Sequence, residues 1–226
     1  MKKIIKEISV KTLVVSGMLF ASIFIFAFLA HESVHENEDM FDTKVFNLLN
    51  IYTSPSMLRL MQVFSFFGSL YFLIPAYIIL IFVLLKRRQN ADAINILVIS
   101  IASTALMFFL KAYFHRPRPD LTFLRTTYNY SFPSGHALSS FIFCSVLIHL
   151  LWQSKISNTW KYVSIVLLLS FSISIGISRI VLRYHFASDV LAGFCFGFVW
   201  VILSFWIQRR IASLKTGDSS GEPCNG

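Results

Sequence analysis

Six apolar runs, each close to the thickness of a bilayer's hydrocarbon core when coiled as a helix, constrain this chain more than any other feature. They are Thr12 to Ala30, Ser69 to Leu85 (with an apolar lead from about Leu58), Ala93 to Leu110, Ala137 to Trp152, Tyr162 to Ile177 and Val190 to Ile207. A helix rises about 1.5 Å per residue, so a core about 30 Å thick takes roughly 20 residues. Flanking aromatic and polar residues supply the missing turn. In lipid the backbone must satisfy its own hydrogen bonds, so these runs are helices rather than open strands. The expected fold is all-α: an integral membrane bundle of six transmembrane helices. Composition agrees, with 56% of 226 residues hydrophobic and 14% charged, too little polar surface for a soluble domain of this size.

Lys2, Lys3, Lys6 and Lys11 precede the first run, as they would in a secretory signal. The run is longer than a signal core, though, and it ends Ala27-Phe28-Leu29-Ala30 without a small-x-small cleavage pattern, so it reads as a membrane helix. An even number of spans puts both ends on one side. That side would carry the N-terminal lysines, Lys86-Arg87-Arg88, Lys155, Lys161, Arg209, Arg210 and Lys215. By the positive-inside rule it is the cytoplasm. Residues 1–11 and 208–226 are then cytoplasmic, the latter a polar tail expected to be disordered, and 12–207 form one domain. The net charge of +9 is explained by these anchors. No basic patch with stacking aromatics stands apart to suggest nucleic acid. Cys144 and Cys195 lie inside apolar runs as packing residues, and the three cysteines match no zinc or redox spacing. Residues 41–68 show roughly helical apolar spacing. They read either as one or two amphipathic helices along the outer interface or as a loop packed on the bundle.

This topology sends the polar clusters to one membrane face. The third run ends at Lys111, and "KAYFHRPRPD" follows, where Pro117 and Pro119 stop the helix. The fourth opens with "PSGH", residues 133–136. The fifth ends at Ser178-Arg179, and the sixth begins near His185 and Asp189. Lys111, Arg118, Ser134, Gly135, His136, Arg179, His185 and Asp189 therefore converge from four helix ends. Three permanent cations suit phosphate oxygens. Pro133 suits a first helical turn, Ser134 can cap or donate, and Gly135 lets backbone N–H groups approach an anion. His185 and Asp189 are four apart, on one face of a helix. The carboxylate can hold one ring nitrogen so that the other attacks phosphorus, while His136 protonates the leaving oxygen. The product is a phosphohistidine that water opens. No acidic cluster in these blocks would hold Mg²⁺, so the expected reaction needs neither metal nor cofactor.

Lys111-x6-Arg118-Pro119, Pro133-Ser134-Gly135-His136 and Ser178-Arg179-x5-His185-x3-Asp189 together resemble the three-part signature of the type-2 phosphatidic acid phosphatase family, in blocks 111–119, 133–136 and 178–189. The resemblance covers about residues 43 to 207. It implies a membrane lipid phosphatase with His185 as nucleophile, Asp189 as its partner and His136 as acid. Lys111, Arg118, Ser134, Gly135 and Arg179 would bind phosphate. It also implies a bacterial inner-membrane enzyme whose site faces the periplasm or exterior, with membrane lipids around it and a lipid phosphate as substrate. Undecaprenyl diphosphate, phosphatidylglycerol phosphate, phosphatidic acid and lipid A phosphates remain open, as does oligomeric state.

Two other readings compete. "HESVH", residues 31–35, matches H-E-x-x-H, in which His31 and His35 would hold zinc and Glu32 would act as base. It is expected just beyond the first helix, in an acidic loop. A non-catalytic lipid carrier would equally use the Gly193 and Gly197 pair for helix packing. Arg116, Arg125, Arg183 and His115 are expected to anchor at the interface rather than to contact a second phosphate or headgroup. His149 reads as an interface or packing residue.

Overall fold

The computed structural model describes residues 2–35, 40–119 and 130–218. Among them every regular element is a helix. The elements are α1 (Lys2–His35), α2 (Met40–Asn50), α3 (Pro55–Phe67), α4 (Leu70–Lys86), α5 (Asn90–Phe114), α6 (Gly135–Gln153), α7 (Asn158–Val181) and α8 (Ala187–Asp218). Within α1, α5, α6, α7 and α8 lie five stretches long and apolar enough to cross a bilayer. The pair α3 and α4, bent by 42°, passes the same test together and brings the number to six.

The second run with its apolar lead is thus two helices, bent at the break between them. Ser54 starts α3 as its N-cap, its hydroxyl accepting from the Met57 N–H, and Pro55 occupies the first turn, where a missing N–H costs nothing. At the break, the Ser69 N–H and hydroxyl both donate to the Phe66 carbonyl, at 3.0 and 2.6 Å. These bonds answer a carbonyl that apolar surroundings would otherwise strand. Residues 41–68 take the helical form of the first reading, as α2 and α3, and the packing on the bundle of the second.

The core is divided among the helix junctions. Ile99 and Met107 of α5, Leu138 and Ile142 of α6 and Val201 of α8 form its middle. Leu84, Ala93, Ile96 and Val146 join α4, α5 and α6. Leu29 and Ala30 of α1 meet Phe132 and Ala192, so the first run packs beside α8 as part of the bundle. Phe46 of α2 sits with Ile180, Phe186 and Val190, which seats α2 on the turn between α7 and α8. Cys144 and Cys195 are buried and unbridged.

Two boundaries differ from expectation. Helix α1 continues through His35, so "HESVH" belongs to the helix and not to a loop. Helix α8 runs on to Asp218, so residues 208–218 are helical, while the stretch apolar enough to cross a bilayer ends at Ile211. Charged side chains do not end a helix whose backbone bonds are already propagating. Residues 219–226, with Cys224, lie outside the described residues.

Candidate active site

The site is built around the turn from α7 to α8. After Val181 the chain folds tightly: the Tyr184 and His185 N–H groups both donate to the Arg179 carbonyl, at 3.0 and 3.2 Å. Arg183 takes a left-handed conformation at φ 59°. Its guanidinium donates to Asn50 Oδ1 at 2.8 Å and lies 3.8 Å over the Phe46 ring, so α2 holds this turn from outside. The fold-back buries His185 to 1% exposure.

His185 therefore lies in the turn, ahead of Ala187, which starts α8. It does not share a helical face with Asp189, as the four-residue spacing suggested. The two still meet, because Asp189 stands in the first turn of α8 and reaches back. Its Oδ2 accepts the Phe186 N–H at 3.0 Å and lies 3.3 Å from His185 Nδ1. This is the reciprocal half of a capping box, with the carboxylate answering an orphan N–H at the helix start. A carboxylate on Nδ1 keeps the proton there and leaves Nε2 with its lone pair. Burial pushes the His185 pKa well below its ordinary 6.5, and the Lys111, Arg118 and Arg179 charges push the same way. The ring is neutral at pH 7.

Beside His185 is a cavity of about 220 Å³ lined by Lys111, Arg118, Gly135, His136, Arg179 and His185, with Gly68, Leu70, Met107, Phe108 and Ser139. Each cation is anchored on oxygens of the protein. Lys111 Nζ donates to the Tyr130 and Ser131 carbonyls at 2.8 and 3.2 Å. Arg118 donates to the Tyr184 carbonyl at 2.8 Å, and burial lowers its pKa. Arg179 donates to Ser65 Oγ on α3 and lies 4.1 Å over the Tyr184 ring. Ser134 and Asp189 stand behind the lining. Ser134 is the N-cap of α6, with Pro133 before it rather than in the first turn. Among the described residues the buried Ser134 hydroxyl and Arg179 Nε have no partner. Gly135 is required by packing: a Cβ there would stand 2.5 Å from Met107 Sδ.

The structure thus gathers all eight expected residues, six on the cavity wall and two behind it, and it adds two that the sequence reading missed. Arg116, read as an interface anchor, is 3% exposed and pairs with Asp189 Oδ1 at 2.8 Å and with Asp42 Oδ2 at 3.0 Å. Asp42 of α2, 0% exposed, accepts from the Ser188 N–H at 2.8 Å and from the Ser188 hydroxyl. The first arginine of "RPRP", residues 116–119, was a signal; nothing near Asp42 marked it. Arg183 is pinned to α2 and is likewise no free anchor. His115 is exposed at the end of α5, its Nδ1 3.1 Å from the Tyr113 carbonyl. His149 stacks on Phe205 at 4.1 Å as a packing residue. Arg125 lies outside the described residues.

His31 is exposed and Glu32 half-buried near the end of α1, and the side chain of His35 lies outside the described residues. Among the described residues no three His, Cys, Asp or Glu side chains group as metal ligands.

A second cavity, of about 470 Å³, opens between α4 and α5. Leu73, Ile74, Tyr77, Leu97 and Thr104 are among its walls, and it shares Leu70, Phe108 and Ser139 with the cationic cavity.

Comparison with known proteins places this arrangement. The family model described as PAP2 superfamily matches residues 92–212. Phosphatidylglycerophosphatase B of Bacillus subtilis is 27% identical over 86% of this chain and 97% of its own length. Lipid A 1-phosphatase of Porphyromonas gingivalis is 39% identical over 46% of this chain and 21% of its own length. Among solved structures, the transmembrane PAP2-type phosphatidylglycerolphosphate phosphatase of Bacillus subtilis shares the fold with a TM-score of 0.77 at 23% identity, over 85% of this chain and 96% of that one. Aquifex aeolicus LpxE superposes with a TM-score of 0.59 at 25% identity, over 75% of this chain and 98% of that one.

Proposed function

The chain belongs to the PAP2 superfamily, and on that premise we propose that it removes the terminal phosphate from a membrane lipid phosphate or diphosphate through a phosphohistidine on His185. One observation carries the reading: the His185 imidazole, held through Nδ1 by Asp189, faces a cavity lined by Lys111, Arg118 and Arg179 with His136 on the same wall.

The steps follow from that geometry. The three cations take the phosphate oxygens and stabilise the charge spread over them in the transition state. The His185 Nε2 lone pair forms a bond to phosphorus as the bond from phosphorus to the lipid oxygen breaks, and His136 gives that oxygen its proton. Neutral His136 then takes a proton from water. The water oxygen attacks phosphorus, and the P–N electron pair returns to Nε2. Asp189 stabilises the charge on the His185 ring throughout, much as a carboxylate does in a serine hydrolase.

The apolar cavity beside the site supports a lipid substrate. It continues the cationic cavity along shared walls, so a chain lying between α4 and α5 would keep its phosphate among the cations. The curated relatives, named for phosphatidylglycerophosphate, lipid A and, in Dictyostelium discoideum, dolichyl diphosphate, share a phosphate on an apolar anchor. By the positive-inside rule the termini lie in the cytoplasm and the site faces the periplasm or exterior; the bacterial relatives support a bacterial inner (plasma) membrane as its place.

The test is phosphate release by the detergent-purified protein from undecaprenyl diphosphate, phosphatidylglycerol phosphate, phosphatidic acid and a lipid A phosphate, with and without EDTA. Release that survives EDTA and is lost in His185→Ala supports the reading, and the panel ranks the substrates. Release that stops with EDTA, or persists in His185→Ala, overturns the mechanism.

A further inference from the structure

The buried ion pairs behind His185 form a connected set. Arg116 places one nitrogen on Asp189 Oδ1 at 2.8 Å and the other on Asp42 Oδ2 at 3.0 Å. The first of these nitrogens also donates to Ser188 Oγ at 2.7 Å. The Arg116 guanidinium is packed 4.2 Å over the Phe186 ring, and Asp42 holds the Ser188 N–H in the first turn of α8. Asp189 is fully buried. A carboxylate in such a place rotates or takes up a proton unless a cation holds it. Arg116 occupies one oxygen and leaves the other turned to Phe186 and His185.

We propose that Arg116 and Asp42 are positioning residues for the nucleophile: Arg116 keeps Asp189 ionised and aimed at His185 Nδ1, and Asp42, from α2, fixes Arg116 and the start of α8. Neither touches the cavity; both act through Asp189. Helix α2, outside the three signature blocks, thereby shares in the chemistry, and the first block contributes a residue beyond its motif positions. Helix α2 supplies Asp42, and its Phe46 and Asn50 hold Arg183 two residues before His185. The segment after α5 supplies Arg116.

The inference rests on the phosphohistidine reading, so the experiment carries wild type and His185→Ala beside Arg116→Met, Arg116→Lys and Asp42→Asn. Each is purified in detergent, checked by thermal melting, and assayed for kcat, KM and the pH profile of kcat/KM on one lipid phosphate. The charged and titratable groups facing His185 are Lys111, Arg118, Arg179, His136, Asp189 and, behind Asp189, Arg116. In Arg116→Met, kcat falls about ten- to a hundred-fold, the range for partners that orient a functional ligand from behind, with KM within about two-fold. Its acidic limb moves to higher pH as Asp189 takes up a proton more readily. Arg116→Lys restores the limb and part of kcat, and Asp42→Asn lowers kcat by a smaller factor.

If Arg116→Met melts too low to assay, Arg116→Lys and Asp42→Asn carry the same comparison. A folded Arg116→Met with wild-type kcat, a loss confined to KM, or a lowered kcat with an unmoved acidic limb overturns the proposal, as does a wild-type kcat in folded Asp42→Asn. Activity that survives in His185→Ala sinks the underlying mechanism instead, and the positioning role with it.

Discussion

The Ser134 N–H donates to the Asp189 backbone carbonyl at 3.0 Å. That bond ties the start of α6 to the start of α8, and so ties the block holding His136 to the block holding His185. Gly193, one turn further along α8, makes the approach possible: a Cβ there would stand 2.8 Å from the Ser134 carbonyl oxygen and 3.2 Å from Ala137 Cβ. The first obstacle is backbone, which cannot rotate aside as a side chain would. Gly193→Ala is expected to separate the two helices by a few tenths of an ångström and to lower kcat by at least ten-fold, since displacements of about 1 Å cost about 10²-fold. Gly197→Ala, which meets the Phe141 side chain at 3.1 Å, should cost less. Steady-state kinetics on the two purified variants decides it, and equal losses would count against the account.

Acid should destabilise the fold through His185. Its folded pKa is pushed well below 6.5 by burial and the neighbouring cations, whereas the unfolded chain takes up that proton near 6.5. Between those two values the unfolded state binds more protons, so stability rises with pH there and is lost as pH falls below about 6.5. Melting temperature in detergent should therefore drop from pH 7 to pH 5, and His185→Gln should show a shallower drop. Parallel curves for the two proteins would remove His185 as the cause.

The apolar cavity between α4 and α5 gives a chain-length prediction. Thr104 lines it away from the cations. Thr104→Trp should raise KM for a long-chain lipid phosphate by about ten-fold, a factor worth about 1.4 kcal/mol, and leave a six-carbon analogue within about two-fold. A uniform change in KM for both substrates would mean that the chain binds elsewhere.

Orientation can be read with a membrane-impermeant maleimide. In a Cys224→Ser background, Tyr52→Cys, at an exposed position beyond α2, should label on intact spheroplasts. Trp160→Cys, exposed at the start of α7, should label only after permeabilisation. The reverse pattern would put the site in the cytoplasm.

How much of this was legible in the chain itself depends on the range of the interaction. The membrane spans follow from runs of apolar residues, a local property, and the described helices overlap all six of them. Each of them extends past its run, because a helix continues through the interface and the charged flank. The cavity residues were legible because each cationic, histidine or glycine position sits at or near a helix end, and alternating spans bring those ends together. The relation of His185 to Asp189 was right in contact and wrong in form, since the turn at Arg183 and the capping position of Asp189 are set by packing against α2.

Sequence by itself determined the membrane class, the apolar runs and the residue types that meet at the site, all of which are carried by residue type and short spacing. Only the tertiary structure decided what stands behind the nucleophile. Asp42 and Ser188 are 146 residues apart, and Arg116 is 73 from Asp189. Their pairing has no local signal: a charged residue near the membrane surface looks the same in sequence whether it anchors in water or is buried against another charge. Folding distinguishes the two, because α2 closes over the α7–α8 turn and takes all three groups out of water together, where each can remain charged only by holding the next.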